Sequence, residues 1–103
     1  MKNFYTKLKE RTFANNKQKN TELWDVEGIF HNQKLKFDLR PLKNNMKTGT
    51  FKTKADKMVF DIQDQYIVVD VKELHQYLKK ENLKKVYLQD LISNLDWNII
   101  LPK

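Results

Sequence analysis

Residues 34–40 read Lys-Leu-Lys-Phe-Asp-Leu-Arg, and this strict alternation constrains the fold more than any other stretch of the chain. Successive side chains of a strand point to opposite sides of a sheet. Leu35, Phe37 and Leu39 therefore face inward, and Lys34, Lys36, Asp38 and Arg40 face outward. Residues 22–30, with Trp24, Val26 and Phe30 on one face, form the preceding strand. The short polar stretch His31-Asn32-Gln33 joins the two as a hairpin. Pro41 ends the second strand because it has no ladder donor.

A second hairpin follows a polar loop that begins at Leu42 and a short strand expected at 50–54. Residues 57–62 alternate Met58, Phe60 and Ile62, and residues 66–71 are a β-branched run. Asp70 and Glu73 are spaced as a capping box, so a helix is predicted over 71–81, with Asn82 as its stop. Val71, Leu74, Tyr77 and Leu78 line its inner face. Leu88, Leu91, Ile92 and Leu95 predict a second short helix over about 87–95, and residues 97–101 a terminal strand. The expected fold is α+β: a small antiparallel sheet of two hairpins plus a C-terminal strand, with two helices on one face and a basic surface on the other. Residues 1–20 lack a continuous period and are expected to form a basic, flexible arm beside a single domain over 21–103.

Chemistry is sparse. The only histidines are His31 and His75 and the only serine is Ser93, so no hydrolytic triad suggests itself. His75 flanks the helical stripe and reads as structural, His31 as a solvated turn residue. Asp61, Asp64 and Asp70 flank a turn and cap a helix, and are not spaced as a metal loop. Gly28 and Gly49 stand alone, which argues against a phosphate-cradling loop. No enzymatic activity and no cofactor are expected. The chain has no cysteine, no signal-like segment and no apolar run long enough for a membrane span. A reducing, cytoplasmic setting without membrane attachment is the expectation.

Charge points to a partner. The formal net charge is +7. Residues 1–57 carry fourteen basic and six acidic side chains, whereas residues 58–103 carry six and seven. Such asymmetry suits a polyanion. Lysine dominates over arginine in an asparagine-rich chain, a composition associated with AT-rich genomes and their phages and plasmids. The predicted interface is Lys34, Lys36, Arg40, Lys47, Phe51, Lys52, Lys54 and Lys57, with ammonium groups tracking phosphates and Phe51 stacking on bases. Lysine lacks the planar fork that reads guanine edges, so binding without sequence preference, favouring single-stranded DNA or RNA, is expected. Such a protein would serve as a replication or maintenance accessory of a phage or mobile element. The alternative is a subunit or inhibitor that docks on a larger enzyme, such as a DNA polymerase or helicase, through its terminal strand.

Overall fold

The computed structural model describes residues 2–42, 46–48 and 51–103, with side chains over 4–42 and 51–103. Two short elements open the chain, helix α1 (Lys2–Tyr5) and strand β1 (Lys9–Phe13). Helix α2 (Asn16–Thr21) leads to the first hairpin, β2 (Val26–Phe30) and β3 (Gln33–Pro41). After β4 (Met46–Thr48) comes the second hairpin, β5 (Lys57–Ile62) and β6 (Gln65–Asp70). Helix α3 (Val71–Glu81), β7 (Lys85–Tyr87), α4 (Leu88–Asn94) and β8 (Asn98–Pro102) complete the order.

The α+β architecture follows the hydrophobic periods. Six strands form one sheet in the order β1-β2-β3-β5-β6-β8, and β4 pairs with β7 in a small second sheet. Both expected hairpins are present and β8 lies antiparallel to β6. The hairpins meet through a parallel pair, β3 with β5, in which Phe37 sits beside Lys57 and Arg40 beside Phe60. The sheet is therefore mixed rather than antiparallel throughout. Residues 51–56 cross between these strands in irregular conformation, where a short strand was expected.

Both faces of the sheet are covered. On one, Met58, Phe60, Ile67 and Val69 pack against Val71, Leu74, Leu91 and Leu95 of the helical layer. On the other, Val26, Phe37, Val59 and Val68 pack with Phe4 and Leu8 from the first eight residues. Phe4 is fully buried and meets the rings of Phe37 and Tyr66 edge-on at 5.3 and 5.7 Å. The first twenty residues thus differ from the expected arm. Residues 4 and 8 belong to the core, and β1 pairs with β2 along the sheet edge.

Local signals explain the helix ends. Asp70 caps α3 by accepting the Glu73 backbone N–H at 3.0 Å. Glu73 does not reach back, however; its carboxylate accepts the Trp97 backbone N–H at 3.0 Å and anchors the approach to β8. Asn82 ends α3 in the left-handed region, φ 52°. Asn15 and Gln18 form a full capping box that starts α2.

Candidate nucleic-acid interface

Alternation places Lys34, Lys36, Asp38 and Arg40 on the side of β3 opposite Phe37, which is the side of the helical layer. The basic surface is thus not on the face remote from the helices. Segment 51–56 lies over this part of β3. The Lys54 backbone N–H donates to the Glu22 carbonyl at 2.8 Å, and the Asp56 N–H to the Lys36 carbonyl at 2.9 Å. Thr53 Oγ1 donates to the Leu23 carbonyl, and Arg40 Nη2 to the Lys52 carbonyl. These bonds bring Lys36, Arg40, Lys52 and Lys54 to one region, as the sequence predicts, though Lys52 and Lys54 arrive on a loop rather than a strand.

Acids are interleaved among them. Lys36 Nζ lies 3.9 Å from the Glu22 carboxylate and 5.2 Å from the centre of the Trp24 ring. Lys34 lies 3.9 Å from Glu27, with its side chain largely exposed. Arg40 holds Asp38 through both carboxylate oxygens, at 2.8 and 2.7 Å, and both side chains are largely buried. The remaining acids are turned to the backbone: Asp25 accepts the Leu39 N–H and Asp56 the Lys36 N–H, each at 2.8 Å. Half-buried Lys36 and exposed Lys52 and Lys54 lie on the outer side of a charged but locally mixed surface.

Two candidates fall outside this surface. Lys57 pairs in register with Phe37 and so points to the other face of the sheet. It is 8% exposed, bonds Asp70 at 2.9 Å, and places its ammonium 3.7 Å from the centre of the Trp97 ring. A lysine so enclosed is a structural partner for a helix cap, not a phosphate contact. Phe51 is 7% exposed and packs in the helical-layer core, so it has no face to offer a base. Trp24, Phe30 and Tyr66 on the neighbouring strands are buried as well. Lys47 lies on β4, paired with Val86, and its side chain is outside the described residues.

His75 is half-buried and its Nε2 donates to the Phe51 carbonyl at 2.8 Å, a structural role that holds segment 51–56 to α3. Among the described residues no three metal-ligating side chains gather, and no helix is long and apolar enough to cross a membrane.

Burial alone would raise the Asp70 carboxyl. The Lys57 hydrogen bond, the Glu73 N–H and the charges of Lys57 and Lys72 outweigh it and hold the group below its ordinary value. A carboxyl lowered in the folded state contributes stability above its unfolded pKa, near 4, and loses it as pH falls through the folded value. Asp70→Asn should therefore flatten the loss of stability below about pH 4, read by urea unfolding at stepped pH. Parallel losses in parent and variant would place the acid sensitivity elsewhere.

Comparison of the chain with models of protein families, with curated proteins and with solved structures finds no match.

Proposed function

We propose that this chain is a small nucleic-acid-binding protein that holds the sugar–phosphate backbone without reading sequence and acts as an accessory factor in replication or maintenance of a phage or mobile element. The observation that supports it most is that the charge asymmetry of the sequence is also an asymmetry of the sheet. Residues 1–42, with nine basic and five acidic side chains, supply β1, β2 and β3, one half of the six strands; residues 58–103, with six and seven, supply nearly all of β5, β6 and β8, and the segment between adds five basic groups and one acid. A molecule with one positive half orients toward a polyanion over distances of about a Debye length, roughly 8 Å at physiological salt. Local ion pairs trim this field without reversing it. Asp38 is turned inward on Arg40, and Asp25 and Asp56 accept backbone N–H groups, whereas Lys52 and Lys54 are exposed.

Gel shifts with labelled oligonucleotides test the reading. The informative variant is Lys36→Glu with Lys52→Glu and Lys54→Glu, which is expected to abolish the shift at 50 mM salt while the protein stays folded by circular dichroism. Lys57 is unsuitable for such a variant, because a glutamate there would face Asp70 in a nearly buried site. Undiminished binding by the triple variant would remove this surface from the account.

One observation favours docking on a larger enzyme as a second reading. Strand β8 pairs only with β6 among the described residues, and its Ile100 is 45% exposed. The opposite edge, β1, is guarded by exposed Lys9, Glu10 and Arg11 and by an irregular register with Glu10 at φ 52°. Charges and bulges protect an edge; a short apolar strand invites pairing. A partner retained in pull-downs after nuclease treatment and lost in Ile100→Lys supports this reading; loss of every partner with the nucleic acid opposes it.

A further inference from the structure

One place concentrates positive charge without carboxylates. A cleft of about 450 Å3 opens beside the tip of the β2–β3 hairpin, within the usual size range of small-molecule sites, roughly 300–1,000 Å3. Lys7 and Lys9 supply its charge, His31 and Asn32 its rim, and Ile29, Phe30 and Leu101 its apolar wall; no acid lines it. It differs in this from the surface around Lys36, where Glu22 and Asp38 intervene.

The architecture fixes the parts. His31 and Asn32 both have positive φ, 49° and 64°, the conformation of a two-residue type I′ hairpin turn. That turn lays the exposed His31 imidazole flat on buried Phe30, with ring centres 4.2 Å apart and planes 11° from parallel. One ring face is thereby supported and the other faces outward. Gly28 brings the lysines close. A Cβ there would lie 3.0 Å from Leu8 Cβ and 3.2 Å from the Lys9 carbonyl, so the absent side chain lets residues 8 and 9 pack directly on β2.

An exposed ring stacked on Phe30, in a cleft lined also by two lysines and an apolar wall, matches the chemistry of a nucleoside phosphate. Bases stack on histidine as they do on other aromatics, and lysines neutralise phosphate. We propose that this cleft binds a nucleotide, with its base on the outer face of His31 and its phosphate between Lys7 and Lys9. Building on the nucleic-acid reading above, the site would seat a strand terminus. It would give the protein a preference for unpaired ends that its buried sheet aromatics cannot give. A free mononucleotide offers the same chemistry.

The test uses the full chain and four probes: a short oligonucleotide with 2-aminopurine at a 5′-phosphorylated end, the same oligonucleotide without the phosphate, one with 2-aminopurine at its centre, and AMP. The variant is His31→Asn with Asn32→Gly, which installs the most favourable type I′ turn and removes the ring, so the hairpin should melt at or above the parent temperature. The terminal fluorophore is expected to quench on binding and the central one not, and the variant should lose the quench and about tenfold in affinity for the phosphorylated end. Removing the phosphate should weaken the end contact, as should Lys7→Gln with Lys9→Gln. AMP that quantitatively displaces the end would make the free nucleotide the ligand of the cleft. Equal quenching at both positions, or unchanged binding by the His31 variant, overturns the cleft while leaving the backbone reading intact. Failure of every oligonucleotide to bind the parent protein overturns both.

Discussion

Phe4→Ala is expected to cost about 3–5 kcal/mol of folding stability, the usual loss for deleting a buried aromatic ring. The ring is fully buried, touches Phe37 and Tyr66 edge-on, and closes the face of the sheet away from α3 and α4. Removing it takes away apolar burial and aromatic contact together. Urea unfolding measures the loss. A change below about 0.5 kcal/mol, the range of neutral surface substitutions, would mean that the first residues do not pack on the sheet.

Asp38→Ala is expected to be nearly as damaging, at about 3 kcal/mol. Asp38 takes both arms of the Arg40 guanidinium, and Arg40 also donates to the Lys52 carbonyl. The pair therefore clamps β3 to segment 51–56. Taking away the carboxylate deprives a largely buried cation of its counter-charge, the costly half of breaking a buried pair. The value sits at the low end of that range because the Arg40 side chain keeps 16% exposure and some access to water. Replacing both, Asp38→Leu with Arg40→Met, should cost less than Asp38→Ala alone, since no orphan charge remains. If the double variant is the less stable one, the clamp contributes attraction beyond mutual compensation. Arg40→Met should also leave oligonucleotide affinity within about threefold, because its charge is spent on Asp38 rather than on phosphate; a loss tenfold or greater would return Arg40 to the interface.

The hairpins, α3, α4 and β8 were legible because each repeats apolar residues at the period of its own element, as in residues 34–40 and 57–62. Asn82 was legible as a stop because asparagine tolerates the left-handed backbone that ends a helix. The helix α2 was equally open to reading, since Asn15 and Gln18 stand at capping-box spacing, but its short polar sequence hid it among linker residues. Strand β1, Lys-Glu-Arg-Thr-Phe, has no alternation because its register slips at a bulge. Nothing local announces that Phe4 and Leu8 belong in the core, since the residues they meet lie on strands far along the chain.

Lys57 shows why the candidate interface was only partly legible. Alternation with Met58, Phe60 and Ile62 correctly places it on the opposite side from those residues. It does not say what covers that side. Outward means solvent only when one face of the sheet is wet, and here Trp97 lies over the lysine and Phe4 packs on the same face. Lys36 and Lys54, which do come together, depend on the parallel β3–β5 pairing and on loop bonds to Glu22, and no local pattern encodes either. Phe51 was drawn toward the surface by its lysine neighbours, yet a phenylalanine on a loop that crosses a core is more favourably buried.

The salt dependence of oligonucleotide affinity, measured by fluorescence anisotropy between 50 and 300 mM salt, tests the positive half-sheet most directly. With about five phosphates neutralised on a single strand, the plot of log affinity against log salt should fall with a slope near −3.5, and its steepness should drop by about 2 when Lys36, Lys52 and Lys54 are replaced by glutamine rather than glutamate. A flat plot, or no binding by the parent protein at 50 mM salt, would show that the surplus of lysine on β1–β3 and its flanks is solvated surface and grips no polyanion.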